Sequence, residues 1–307
     1  MIETVKKGLF EQIVRVRPSL SPKKRRVADF MMEDYKRLFL MTAKEIAQKC
    51  QVSEPTITRF VMDLGFTGYG EFEQYLKGLL RDELTSVERL LKADQETETT
   101  TPLNAYSQNT AMNLENMMRS VSEAEIKNIA QMIFEAESVM VAGYKASTSL
   151  AFYLGYLLKK IKEGVLIDTV YSWDNLDYIA VHGKSLLLFV IAFPRYPTRA
   201  IEIIEYAKPY QAQVICLSDS LKSPIINLAD HYVIVDMEGF SFIDPFSHII
   251  TFLGALVHEI AYTDKDATAE RLARIEDGVR RRQDFFLEEK DELSDYDPLN
   301  REYSNNS

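Results

Sequence analysis

Five short apolar runs in the second half of the chain leave the fold little freedom. SVMVAG, GVLIDTV, SLLLFVIAF, QVICLS and HYVIVD fall between residues 138 and 236 and are rich in Val, Ile and Leu. A strand with one wet face alternates polar and apolar side chains. A strand that is apolar throughout is covered on both faces. Segments of helical length separate or follow the runs, at 146–162, 174–181, 197–208, 222–229 and 245–262. Strands alternating with helices predict a five-stranded parallel sheet, doubly wound, in an α/β domain. Ligands reach such sheets at the carboxyl ends of the strands. That directs attention to the loops at 143–149, 168–173, 193–198, 218–222 and 239–244.

A different pattern governs residues 42–66, TAKEIAQKCQVSEPTITRFVMDLGF. Ile46, Ala47 and Cys50 share one helix face, and Ala47 is small enough for a second helix to approach. Val52 fills the corner, Ser53 is positioned as an N-cap, and Pro55 falls in the first turn, where a missing N–H costs little. Ile57, Phe60, Val61 and Leu64 form a buried stripe, and Gly65 ends the helix. Two helices joined by a tight turn are the build of a helix-turn-helix, whose second helix enters the DNA major groove. Glu54, Thr56, Thr58, Arg59 and Met62 lie off the buried stripe. The hydroxyls and guanidinium among them suit phosphates and base edges.

The charge distribution agrees. Residues 1–81 hold fifteen Lys and Arg against ten Asp and Glu, yet the whole 307-residue chain carries a net charge of −10. A basic end on an acidic chain marks a nucleic-acid surface, because neutralised phosphates release counterions. Lys23, Lys24, Arg25 and Arg26 open a predicted helix after Ser21-Pro22 and are candidates for backbone contact; as four cations there they oppose the helix dipole. The candidate DNA-contacting set is Lys23, Lys24, Arg25, Arg26, Thr42, Ser53, Glu54, Thr56, Thr58 and Arg59.

No run reaches the roughly 18 apolar residues of a membrane span, so no membrane partner is expected. The first residues lack the pattern of a signal peptide. Cys50 and Cys216 stand far apart in apolar surroundings, as buried thiols of a reducing compartment do, and the expected location is cytoplasmic. Neither H-x₃-H nor C-x₂-C spacing occurs, so neither a metal nor a cofactor is expected. The polar stretch DQETETTTP, 94–102, is the predicted linker. The expected domains are therefore 1–93, all-helical; 103–265, α/β; and 266–307, a charged helix leading to a tail expected to be disordered beyond about residue 292. Residues 103–135 read as one or two helices with a Met and Leu stripe, which serves as core or as a dimer face.

Taken together, LSPKKRRVADFMMEDY, the hairpin with its T-I-x-R-F, and LGFTGYGEF resemble the RpiR family of bacterial transcription regulators. VMVAGYKAS after the first strand, SPIINLADHYVIV near the last strand and a long final helix resemble its sugar isomerase (SIS) domain. The resemblance covers about two thirds of the chain. It implies an N-terminal helix-turn-helix domain that binds a double-stranded DNA operator. It also implies a C-terminal SIS domain that senses a metabolite and associates into a homodimer or homotetramer.

SIS domains hold sugar phosphates with a G-x-G-x-S loop and an S-G-x-T type loop. The first loop here is Gly143-Tyr144-Lys145-Ala146-Ser147, with Lys145 at the second glycine. The other is Phe193-Pro194-Arg195-Tyr196-Pro197-Thr198, in which only Thr198 matches the hydroxyl pattern. Glycines let backbone approach phosphate and prolines remove donors, but Lys145 and Arg195 add cations able to hold an anion. The expected effector is a phosphosugar, a sugar acid or another carboxylate, and the candidate site is Gly143, Tyr144, Lys145, Ser147, Arg195, Tyr196, Thr198, Ser218 and His248. Tyr171, Trp173 and Asp174 either stack on a ligand or cap the core. The competing class is a sugar-phosphate isomerase with an appended helical domain. It needs a general base, and among His182, His231, His248 and Glu259 only His248 lies near the strand ends. The altered loops weigh against an enzyme and for a regulator.

Overall fold

The computed structural model describes residues 2–33, 38, 41–80, 85–96, 100–239 and 241–285. Compactness divides the chain into two units. The first is Met1–Asn109 together with Glu238–Pro245; the second is Thr110–Met237 with the chain from Phe246 onward.

The first unit contains α1 (Ile2–Val16), α2 (Pro22–Glu33), α3 (Ala43–Lys49), α4 (Glu54–Asp63), α5 (Tyr69–Leu80) and α6 (Ser86–Glu96). Its core gathers Leu9 and Ile13 of α1, Val27 and Met31 of α2, Ile46 and Ala47 of α3, Ile57, Phe60 and Val61 of α4, and Phe72 and Leu76 of α5. The apolar spacing expected of the hairpin is thus its packing. The starts of α3 and α6 carry a Thr-x-x-Glu signal. At α3, Thr42 and Glu45 form a capping box: the Glu45 N–H donates to Thr42 Oγ1 at 3.3 Å, and the Thr42 N–H donates to Glu45 Oε2 at 2.7 Å. Thr85 and Glu88 repeat it at α6. Each box satisfies two orphan donors of a helix start.

The polar stretch 94–102, expected as a linker, begins inside α6, and Pro102 opens α7 (Pro102–Ser120); residues 97–99 lie outside the described residues. The division between the units falls within α7, after Asn109. Residues 103–135 resolve into α7 and α8 (Glu123–Glu135), the latter capped by Ser122. The expected Met and Leu stripe of α7 is split. Met117 is buried beside Asn113, while Leu103, Met112 and Met118 are exposed.

The second unit is built on β1 (Ser138–Gly143), β2 (Val165–Asp168), β3 (Leu186–Ile191), β4 (Gln213–Ser218) and β5 (His231–Ile234), all parallel in the order β2-β1-β3-β4-β5. Every residue of β1 and β3 is buried. Their side chains point alternately into two cores. Val139, Val141, Leu187 and Phe189 join one, with α9 (Thr148–Ile161) and α12 (Ser247–Thr263). Met140, Ala142, Leu188 and Val190 join the other, with α10 (Trp173–His182) and α11 (Thr198–Ala207). Helices therefore cover both faces, as the continuous apolar runs require. Gly155 of α9 makes a close approach to the sheet. A Cβ there would come within 2.4 Å of Ile167 Cγ1.

One expected helix is absent. Residues 222–229 make only a 3-10 turn at Ile226–Leu228. Pro224 lies inside the segment, lacks an N–H and disfavours helical backbone at Ser223 before it. The charged tail is helical over α13 (Lys265–Arg282); its part beyond about residue 292 lies outside the described residues.

Candidate functional site

Two surfaces carry the candidate chemistry. On the first unit, Gln51 turns the chain between α3 and α4 with φ 52°, left-handed backbone usually given to glycine. The Val52 N–H then donates to Ala47 O at 2.9 Å, locking the corner. Ser53 occupies the N-cap position, but its hydroxyl lies 2.9 Å from that of Thr56 instead of capping the helix. Glu54 and Arg59 are exposed on α4, and with Pro55 and Thr58 they line an open groove. Thr56 and Thr58 are half-buried beside them. Thr42 is exposed, with its hydroxyl and amide engaged in the capping box.

The basic cluster of α2 is largely tied to protein. Lys24 pairs with Asp63 and donates to Arg59 O at 3.4 Å. Arg25 donates to Pro18 O at 3.0 Å and Arg26 to Gln51 O at 3.2 Å. Lys24 and Arg26 thus brace α4 and the turn before it, a role that sequence charge alone does not reveal. Lys23 stays exposed, without a partner among the described residues.

On the second unit, the strand order reverses direction between β1 and β3, so the loops at their carboxyl ends diverge, which is where sheets of this kind take ligands. Gly143 closes β1, and a Cβ there would meet Ser147 O at 2.6 Å, so only glycine fits. Lys145 follows at φ 57°. Arg195, after β3, sits at φ 64°. Both cations are exposed and hold left-handed backbone that costs a non-glycine residue about 1–2 kcal/mol. The loop at Lys145 thereby keeps a glycine-type conformation without the glycine. Strained positions of this kind gather at ligand-holding loops.

Polar braces sit beneath these loops. The Tyr144 hydroxyl donates to Asp168 Oδ2 at 2.7 Å, and the Ser172 N–H donates to Asp168 Oδ1 at 3.1 Å. Asp168 is fully buried, and burial followed by the Asp168 hydrogen bond pushes the Tyr144 phenol far above its ordinary range, so it remains a donor. The Tyr196 hydroxyl donates to Asp219 Oδ1 at 2.9 Å. Arg199 lies 4.6 Å over the Tyr171 ring. Thr198 is exposed at the first turn of α11, and Ser147 is buried just before α9. The Ser218 hydroxyl is buried and donates to Ala192 O at 2.7 Å. His248 is fully buried with Nε2 3.0 Å from Asp236 O. Those bonds make Ser218 and His248 parts of the scaffold. Trp173 is 80% exposed and caps no core. Asp168, Arg199 and Asp219 were not singled out as site residues from the sequence. Their signal was position alone, at the ends of apolar strands or on the first turn of a helix. No group of three or more potential metal ligands is found among the described residues, and none of their helices is long and apolar enough to cross a membrane.

A helical hairpin unit joined to a parallel sheet of this order defines a two-domain chain of helix-turn-helix and SIS type. Residues 7–83 match the helix-turn-helix domain of the rpiR family, and residues 132–259 match the SIS domain. The chain belongs to the RpiR family of transcriptional regulators. It is 23% identical over 212 residues to the HTH-type transcriptional regulator HexR of Pseudomonas aeruginosa, spanning 69% of this chain and 73% of that protein. Among solved structures it is similar to the sugar isomerase domain of an RpiR transcription factor from Sphaerobacter thermophilus. The TM-score is 0.54 at 20% identity, over 57% of this chain and 98% of that one. The Vibrio vulnificus NanR protein complexed with ManNAc-6P gives 0.52 at 19% identity, over 88% and 98%. At these identities the structural likeness establishes the fold.

The strain at Lys145 is testable. Lys145→Gly should raise stability by about 0.5–1 kcal/mol in urea unfolding, the relief of left-handed strain less the added freedom of the unfolded chain. A loss of stability would contradict the account of that loop.

Proposed function

We propose that this regulator binds a pseudo-palindromic DNA duplex as a homodimer or homotetramer and that a small anionic metabolite in the β1/β3 crevice sets its affinity. The effector belongs to the phosphosugars, sugar acids or related carboxylates. The observation that carries this reading is the pair Lys145 and Arg195, one on each loop at the strand-order reversal, both on left-handed backbone. Two cations can hold an anion whose phosphate a glycine loop would otherwise cradle, and the start of α9 adds a positive dipole end. The NanR relative's phosphosugar complex supports the ligand class. Gly143, Tyr144, Ser147, Tyr196 and Thr198 shape or line the crevice in this reading. Ser218 and His248 support it from below.

The chain acts as a regulator and not as an isomerase. His248, the one histidine near the strand ends, is buried against Asp236 O and serves structure. The relatives matched over about 70% of the chain are named as HTH-type transcriptional regulators. On DNA, α4 is the reader: Arg59, Thr58, Thr56 and Glu54 face base edges, and Lys23, Ser53 and Thr42 lie along the phosphates. Lys24 and Arg26 hold the reader in place. The exposed Leu103, Met112 and Met118 of α7 offer apolar surface for association. The protein works in the cytoplasm.

Calorimetry on the full chain with a panel of hexose 6-phosphates and hexonates tests the effector site. At least one should bind, and Arg195→Ala should weaken it more than tenfold, the loss of a charge-assisted pair; silence across the panel, or unchanged affinity in the variant, refutes the assignment. For the reader, Arg59→Ala should cost about 1–3 kcal/mol on a duplex selected from a random pool if Arg59 reads a base. An unchanged gel-shift titration refutes that role.

A further inference from the structure

The segment Glu238–Pro245 belongs by compactness to the first unit, although it lies between β5 and α12 of the second. Both its ends are held inside the first unit. Near its end, Arg89 of α6 donates through Nη1 to Asp244 Oδ1 at 3.0 Å, with the two side chains only 18% and 19% exposed. At its start, Asn109 of α7 donates through Nδ2 to Glu238 O at 2.8 Å. The chain then returns to the second unit at Phe246. That ring lies 5.9 Å from the ring of Phe193, which is buried two residues past the end of β3 and two residues before Arg195.

We infer that residues 238–245 are the strap that couples the effector crevice to the DNA-reading unit, latched by Arg89–Asp244 and pushed by Phe193 through Phe246. The inference rests on the reading of the Arg195 loop as part of the effector site. A shift of that loop moves Phe193, and the packed Phe246 ring cannot stay where it is without losing contact. Asp244 lies two residues upstream of Phe246, so the displacement arrives at a partly desolvated ion pair. Such a pair is either made or broken, which gives the strap two discrete states rather than a continuous drift. Arg89 projects from α6, the helix that follows the hairpin and α5 in sequence. The coupling thus passes through contacts within each unit and through the covalent chain between Asp244 and Phe246.

Hydrogen exchange on the full chain tests this without DNA or effector, so its outcome is separate from whether an anion binds the crevice. Arg89→Ala and Asp244→Ala should each speed exchange about tenfold in 238–246 and also in 193–199, as release of a local latch does. The β4 start at 211–215 should be unchanged. The charge-reversed pair, Arg89→Asp with Asp244→Arg, should restore slow exchange in both segments. From the other side, Phe246→Ala should speed exchange in 86–92 of α6. The inference is overturned if the effect of the single variants stops at residue 245, if the reversed pair restores nothing, or if Phe246→Ala leaves α6 unchanged. Loss of calorimetric binding to every anion in the panel, with the exchange pattern intact, would instead remove the effector reading and leave the strap as a structural coupling.

Discussion

The burial of β1 and β3 on both faces is the constraint from which the second unit follows. Side chains of each strand alternate between two apolar cores, so helices must cover both sides of the sheet. No ligand can then reach the strands through their faces. At their carboxyl ends the strand order makes the loops after β1 and β3 diverge, the place where such sheets take ligands. Packing thus leaves the loops after β1 and β3 as the ground of the proposed site before any polar residue is considered.

In the proposed function, those polar residues replace one anion-holding device with another. A glycine loop binds phosphate through backbone N–H groups that approach closely. Here Lys145 keeps the left-handed backbone but brings a side-chain charge, and Arg195 does the same across the crevice. Buried hydrogen bonds from Tyr144 to Asp168 and from Tyr196 to Asp219 fix the loops that carry them. The first unit shows a parallel economy. Lys24 and Arg26, basic enough to suit phosphates, instead hold α4 and its preceding turn in position through Asp63, Arg59 O and Gln51 O.

Much of this was legible because it depends on short-range periodicity. The hairpin stripe of Ile57, Phe60 and Val61, and the fully apolar β1 and β3, specify their burial whatever surrounds them. At 222–229 the apolar content points to a helix, and the local veto of Pro224 leaves only a 3-10 turn. Thr42 with Glu45 was a readable Thr-x-x-Glu cap that passed unnoticed. Other features depend on contacts far apart in sequence and had no local signal. Lys24 meets Asp63 only once α2 packs against α4, and Arg89 meets Asp244 across 155 residues. That His248 opens a helix near the strand ends is legible in the sequence; its burial and its bond to Asp236 O depend on the fold.

The central claim is that the helical unit delivers this acidic chain to DNA through a localised basic surface. The most direct test is the salt dependence of duplex binding by the full chain, followed by fluorescence anisotropy. Several neutralised phosphates per reader should make log K fall with log salt with a slope of about −4 or steeper. A slope near zero, or no binding at low salt, would contradict the account.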